Sequence, residues 1–306
     1  MKILVFGSNG LVGSSVVKVF KEKSIYKEII ASKRSDTNLF NFEDTYKTIS
    51  EINPDVIVNA AAKVGGILAN NTNRFDFIVD NLKINLNILE TLKYHKKIKL
   101  INLGSSCIYP LDAANPINEE SIMSGKLEPT NSPYAMAKLT AIEIGDALTK
   151  QYDNSITNLM PTNLYGPRDN FSENESHVIP GLIRRMHNSK IENTKSFLIW
   201  GTGKPLREFL YAEDLADAIS FVIENKISSN LLNIGSGKEI SINDLTHLIQ
   251  RIVGYKGELG YDTSKPDGNP RKLLDSAKIF DLGWKPKTEL VTGLEKTYDW
   301  FCKNYA

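Results

Sequence analysis

Along the first half of the chain, short apolar runs bounded by polar or glycine residues alternate with longer stretches whose apolar positions recur at helical spacing. Ile3 to Phe6, Glu28 to Ala31, Val56 to Val58 and Leu100 to Leu103 read as strands, being short and rich in branched side chains. Leu11 to Phe20 and Phe77 to Leu92 carry the three-and-four spacing of helices. Near-continuous apolar strands separated by helices predict an α/β fold, a doubly wound parallel sheet covered on both faces.

A further strand, Ile156 to Met160, ends at Pro161-Thr162-Asn163-Leu164-Tyr165-Gly166-Pro167, where the chain is expected to leave the sheet. Beyond it, helices over Ile179 to His187, Ala212 to Glu224 and Ile242 to Val253 mix with strands over Phe197 to Trp200 and Leu231 to Ile234. Residues 1–165 therefore read as one domain. Residues 166–306 read mainly as a smaller C-terminal α/β lobe, with 211–236 returning to the first sheet.

The 306 residues suffice for a full core. Thirty-seven basic residues against 36 acidic ones give a net charge of +1, so no long-range field draws nucleic acid or an anionic membrane. No apolar run approaches the ~20 residues of a membrane span, and the run after Met1 is too short for a signal peptide. Cys107 and Cys302 are too few and too far apart for a disulfide framework, which points to a reducing, cytoplasmic setting. In that setting the sequons at Asn170 and Asn174 carry no weight. One Cys and one His without clustered carboxylates do not make a metal site.

Gly7-Ser8-Asn9-Gly10-Leu11-Val12-Gly13 follows the first strand and opens the first helix. Small residues let such a turn approach a pyrophosphate, which then sits on the N–H groups of the helix N-terminus. The spacing is G-x-x-G-x-x-G, and its strand–turn–helix context makes it a Rossmann-like dinucleotide site. An acidic residue ending the second strand would select NAD. Here Ala31-Ser32-Lys33-Arg34 stands there, so Lys33 and Arg34 suit a 2′-phosphate and NADP(H) is predicted. Solvated loop positions are the plain alternative for both.

Tyr134 and Lys138 are four apart and share a helix face. A nearby ammonium is expected to lower the phenol's pKa, and Ser105, at a strand end, can hydrogen-bond the same oxygen. The three together would donate a proton to an alcohol formed by hydride transfer. Ser132-Pro133 reads as an N-cap followed by proline at the first helical position, which puts Tyr134 in the first turn.

These features resemble the extended short-chain dehydrogenase/reductase family. Within it the chain is similar to the enzymes that epimerise and reduce GDP-4-keto-6-deoxyhexoses. The resemblance rests on Ala60 to Ile67, Leu103 to Pro110, Leu127 to Lys138, Pro161 to Pro167, Ser176 to Pro180 and Ser264 to Leu274, in that order, and covers essentially the whole chain.

The resemblance implies epimerisation of GDP-4-keto-6-deoxy-D-mannose at C3 and C5, then NADPH reduction at C4 to GDP-L-fucose. Cys107 and His177 match the acid/base pair, while Ser105, Tyr134 and Lys138 match the reduction triad. Cofactor contacts carry over to Leu103, Gly104, Ser105, Ser106, Lys138, Pro161, Thr162, Asn163, Leu164 and His177, besides the glycine loop and Lys33 and Arg34. Substrate contacts carry over to Arg185, Trp200, Arg207 and Asp267; Arg184, its neighbour on the helix, should point elsewhere.

The family also implies a homodimer through the helices over Phe77 to Leu92 and Ser132 to Gln151. Read without the resemblance, Cys107 could be a small core residue and His177 a helix cap. A reductase acting only on C4 of a related GDP-4-keto sugar, such as a heptose, is the rival reading. A 4-epimerase fits less well, because it would suit an acidic end to the second strand. A non-enzyme would be expected to have lost Ser105, Tyr134 or Lys138. His95, His187 and His247 read as non-catalytic.

Overall fold

The computed structural model describes every residue except Asn174, Pro266 and Ala306. The second sequon and one position of the Ser264–Leu274 block thus lie outside the described residues. The first part of the chain runs β1 (Lys2–Phe6), α1 (Leu11–Lys23), β2 (Glu28–Ser32), α2 (Phe42–Ile52), β3 (Val56–Asn59), α3 (Ile67–Thr72), α4 (Arg74–Leu92), β4 (Lys99–Leu103), α5 (Ser132–Tyr152) and β5 (Ile156–Pro161). It continues with β6 (Asn163–Tyr165), α6 (Val178–Ile191), β7 (Ser196–Trp200), β8 (Leu206–Tyr211), α7 (Ala212–Glu224) and β9 (Leu231–Ile234). The chain ends with β10 (Glu239–Ser241), α8 (Ile242–Val253), β11 (Glu258–Asp262), β12 (Arg271–Lys272), α9 (Ala277–Asp281) and α10 (Leu290–Asn304).

Six strands form a parallel sheet in the order β2-β1-β3-β4-β5-β9. Successive side chains of β1 explain why it is apolar throughout. Ile3 and Val5 enter the core beneath α1 and α7, while Leu4 and Phe6 enter the opposite core beneath α2, α4 and α5. The order reverses between β1 and β3, so the crevice beyond their C-terminal ends is the switch point where such sheets take ligands.

A rail of buried asparagines crosses the sheet at the same level. The Asn59 amide donates to Asn102 at 2.9 Å, and Asn102 donates to Asn158 at 3.1 Å, the members of each pair lying in direct register. Each amide satisfies the next, so polar groups persist in the core without the cost of an unmade bond. The rail pins β3, β4 and β5 just before the loops that carry the site.

The second part holds two small sheets. In one, β8 pairs with β10, β12 and β6; in the other, β11 pairs with β7. Their core gathers Tyr165, Phe171, Phe197, Phe209, Leu245, Ile249 and Phe301. The strands and helices that the sequence predicted begin or end within a few residues of expectation, whereas α2, α3, β8 and most elements after α8 had no such prediction. One difference bears on the site: Asn131, not Ser132, is the N-cap of α5. Ser132 and Pro133 are its first helical residues, and Tyr134 stays in the first turn.

Candidate functional site

The glycine loop is built for close approach. Gly7 sits at φ +73°, and a Cβ there would come within 2.7 Å of the Ala61 nitrogen. At Gly13 a Cβ would fall 2.2 Å from the Gly7 carbonyl oxygen. The loop therefore packs backbone on backbone and leaves the start of α1 open. No acidic residue stands in that helix's first turn, and its Gly10 cap offers no side chain. Ser8 Oγ is buried and has no hydrogen-bond partner among the described residues. A bare helix N-terminus beside an unsatisfied hydroxyl fits a pyrophosphate. Ser32 at the end of β2 accepts from the Ser8 N–H at 3.2 Å, and exposed Lys33 and Arg34 follow beside the loop. The Arg34 guanidinium lies 5.0 Å from the Phe40 ring centroid.

Beyond β4 the chain turns at Gly104, which accommodates no side chain because Met160 fills the space. A single helical turn over Ser106–Ile108 then presents Ser105 and Cys107, with Ser105 Oγ accepting from the Cys107 N–H at 3.2 Å. From α5, Tyr134 comes close to Ser105 and meets Phe77 of α4 edge-on, the ring centroids 6.3 Å apart. Lys138 is 3% exposed; its Nζ donates to the Leu103 carbonyl at 2.7 Å and lies 5.8 Å from the Tyr134 ring centroid.

The phenol does not behave as the sequence led us to expect. Burial raises its pKa, the neighbouring Cys107 raises it further, and the Ser105 hydroxyl only partly opposes them. Lys138 is itself pushed down to about 8 by burial, and its hydrogen bond goes to the backbone. Tyr134 is a neutral phenol, which is the protonation state a donor needs.

Cys107 Sγ receives two N–H donors, Asn131 Nδ2 and Lys272 Nζ, each at 3.6 Å. Sequence reasoning missed both. Neither was given a role although both lie in blocks that carry the resemblance, and Lys272 is 165 residues from Cys107 in sequence. Asn131 is the cap residue of α5, and its side chain goes to the sulfur instead of capping.

His177 is the N-cap residue of α6 but makes no side-chain cap bond. The preceding loop reaches the site from the far side: the Glu175 carbonyl accepts from the Gly66 N–H at 2.9 Å, and Gly65 packs near Phe77. His177 is exposed, and the partial loss of hydration beside its neighbours pushes its pKa below the ordinary value. Among the described residues no hydrogen bond joins His177 to Cys107.

Thr162 and Asn163 both donate to the Glu208 carbonyl, at 3.2 and 2.8 Å. Their side chains therefore tie β5 and β6 to β8, while the backbone of the same segment pairs with β9 through the Thr162 N–H and with β8 through β6. Arg185 lies between two rings, 4.7 Å from Phe197 and 4.6 Å from Trp200, and donates to the Leu198 carbonyl. Arg184 points elsewhere, to the Phe171 carbonyl at 3.0 Å. Asp267 already accepts from the Thr202 N–H at 2.7 Å and the Thr202 hydroxyl at 2.8 Å. These bonds lower its pKa and leave its outer lone pairs for a ligand. Arg207 runs beside Gly268 in the same loop, and burial lowers its pKa.

Two buried carboxyls also escaped sequence reading. Glu208 accepts from the Gly237 N–H at 2.7 Å and the Leu274 N–H at 3.1 Å, and burial raises its pKa. Asp169, 5% exposed between β6 and α6, accepts from the Asn170 N–H at 2.8 Å. Its Oδ2 has no partner among the described residues, and burial pushes the carboxyl up to about 7.

A doubly wound sheet with a pyrophosphate cradle and a Ser–Tyr–Lys group at the strand ends defines a nicotinamide-dependent epimerase or reductase. The chain belongs to the NAD dependent epimerase/dehydratase family, whose model matches residues 3–235. It is 47% identical over 305 residues to a GDP-L-fucose synthase of Sinorhizobium fredii, covering 100% of this chain and 96% of that protein. A solved GDP-6-OMe-4-keto-L-xylo-heptose reductase from C. jejuni superposes with a TM-score of 0.92 at 31% identity, covering 99% of this chain and 97% of that one. A GDP-L-fucose synthetase from Naegleria fowleri bound to NADP superposes with a TM-score of 0.90 at 28% identity, covering 99% and 94%.

Proposed function

We propose that this enzyme converts GDP-4-keto-6-deoxy-D-mannose to GDP-L-fucose by epimerising C3 and C5 and then reducing C4. The observation that carries the reading is Cys107, a thiol with two N–H donors set directly beside the Ser105–Tyr134 pair. Reduction alone needs no thiol, whereas epimerisation beside a ketone needs a group that exchanges protons with carbon. The full-length similarity to a GDP-L-fucose synthase supports the same substrate.

Gly7 to Gly13, Lys33, Arg34, Leu103 to Ser106, Lys138, Pro161 to Leu164 and His177 would hold NADPH, which when bound would supply the hydride for C4. Ser105 and Tyr134 hold the C4 oxygen. Cys107 takes a proton from the carbon beside the ketone while the C–H electron pair moves into the enolate. His177 returns a proton on the other face. Tyr134, a neutral phenol, finally gives its proton to the C4 oxygen, and the Lys138 ammonium beside it steadies the charge left behind. Arg185 and Arg207 clamp the diphosphate, Asp267 accepts from a sugar hydroxyl, and Trp200 flanks the nucleotide.

Residues 1–165 with 211–236 would form the cofactor domain and most of 166–306 the substrate lobe. A homodimer through α4 and α5 belongs to the same proposal. Phe75 (74% exposed) and Leu86 (45%) project from α4 and Met136 (46%) from α5, in line with half-covered Val79 and Leu82. No helix among the described residues is long and apolar enough to cross a membrane, and the two free thiols fit a cytoplasmic location.

The likeness to a heptose reductase favours one second reading, C4 reduction of a GDP-4-keto heptose without epimerisation. Proton NMR in deuterium oxide with the 4-keto-6-deoxy sugar decides between them. Exchange at C3 and C5, then GDP-L-fucose on adding NADPH, supports the first reading. NADPH oxidation without exchange supports the second.

A further inference from the structure

Lys272 lies in a block that resembles the family, yet no role has been given to it so far. Its position is heavily determined. As half of β12 it lies in register with Arg207 of β8, and Leu206 N–H donates to the Pro270 carbonyl at 2.9 Å. Just beyond it the backbone is held a second time. The Ile117 N–H donates to the Leu273 carbonyl, and the Asp275 N–H donates to the Ile117 carbonyl, both at 2.8 Å. The buried Glu208 carboxylate holds the Leu274 N–H. Two clamps, one from each part of the chain, therefore aim a half-buried ammonium at the Cys107 sulfur, 3.6 Å away.

The second donor is as well placed. Asn131 gives up its capping role at α5 to bring Nδ2 to 3.6 Å from the same sulfur. Its Oδ1 is buried without a partner among the described residues. Turned by half a rotation, that oxygen would accept from a protonated thiol. The amide can thus serve the sulfur in both protonation states.

We infer that Lys272 and Asn131 form a cradle for the charged sulfur of Cys107, and that proton exchange at the sugar carbons depends on it. The inference rests on the reading of Cys107 as a proton-transfer group. When the thiolate takes a proton from carbon it becomes S–H, and its negative charge passes to the enolate oxygen. Before that step the charge sits on sulfur, where a cation in hydrogen-bond contact stabilises it. Lys272 makes no hydrogen bond with Ser105, Tyr134 or Lys138 among the described residues, so the reduction group is not built on it. It acts as a positioning residue.

The first test is iodoacetamide labelling of the cofactor-free protein at fixed pH, because only the anionic sulfur is a nucleophile. Cys302 in the same molecule serves as the internal reference. Lys272→Met should slow labelling of Cys107 about ten- to a hundred-fold, the worth of a charge-assisted bond. Lys272→Arg should restore most of it, because Arg keeps the charge and the N–H donors. Asn131→Ala, at a cap position that makes no cap bond, should slow labelling to a smaller extent without unfolding α5.

Deuterium exchange at C3 and C5 should follow the same order while NADPH affinity stays unchanged. Labelling of Cys107 that is indifferent to Lys272→Met, or slowed equally by Met and Arg, overturns the inference. Absence of exchange in the wild type would sink the epimerase reading instead, and the labelling result would still judge the cradle.

Discussion

Replacing Asp169 by asparagine should change how stability depends on pH, by an amount that follows from its surroundings. The carboxyl is 5% exposed, accepts one backbone N–H and is pushed up to about 7 by burial. In the unfolded chain it titrates near pH ~3.9. Between those values the native state holds a proton that the unfolded state has released. Stability therefore falls as pH rises, by about 1.4 kcal/mol per unit, and levels off above the native pKa. From pH 5 to pH 8 the loss from this one group is about 2.5 kcal/mol.

The asparagine side chain has a similar shape and no charge to desolvate, so the Asp169→Asn variant lacks this loss. Urea unfolding of both proteins at pH 5, 6.5 and 8 gives the difference in unfolding free energy at each pH. It should shift in favour of the variant by about 2.5 kcal/mol across the range. A difference constant to within about 0.5 kcal/mol would mean that the carboxylate stays ionised throughout, and would refute the argument from burial.

Three further outcomes follow from the site. Tyr134→Phe removes the proton donor and should lower the NADPH oxidation rate about 10²- to 10⁴-fold, with cofactor affinity, read by fluorescence titration, nearly unchanged. Gly13→Ala forces a Cβ to within 2.2 Å of the Gly7 carbonyl oxygen, so the loop must open. Overpacking of this kind costs about 1–3 kcal/mol, and the NADPH dissociation constant should rise about ten- to a hundred-fold; unchanged affinity would show that the loop yields freely. Leu86→Glu places a charge on the exposed stripe of α4 in both copies of a dimer. Light scattering at micromolar concentration should then report a monomer where the wild type reports a dimer.

What could be read from sequence alone was what is written locally. β1 and β3 to β5 announce themselves by short, mostly apolar runs, and Tyr134 and Lys138 by a four-residue spacing on one helix. Leu206–Tyr211 was not read as a strand, because Arg207 and Glu208 interrupt its apolar run. Glu208 faces the interior only because the Gly237 and Leu274 N–H groups meet it there. β12 is two residues long and exists by pairing with β8. Lys272 reached Cys107 by that route, which no local window contains. The helix over Phe42–Ile52 did carry a usable signal, since Asn41 caps it by accepting from the Asp44 N–H at 2.9 Å. The protonation of Tyr134 escaped for another reason. Spacing reports that a lysine is near, but only packing reports how much water the phenol has lost.

The last strand of the main sheet arrives late. β9 pairs with β5 only after the chain has made β6, α6, β7, β8 and α7. Until residue 234 exists, the outer side of β5 presents a row of unpaired backbone groups, the template on which strands of other chains add. A polypeptide growing on the ribosome must therefore carry an unfinished sheet through the synthesis of roughly seventy residues. No single cut divides the molecule into two self-sufficient pieces either. A fragment ending near residue 165 would keep the cofactor loop and the Tyr134 helix and still be prone to aggregate, whereas one that runs through β9 closes its own edge.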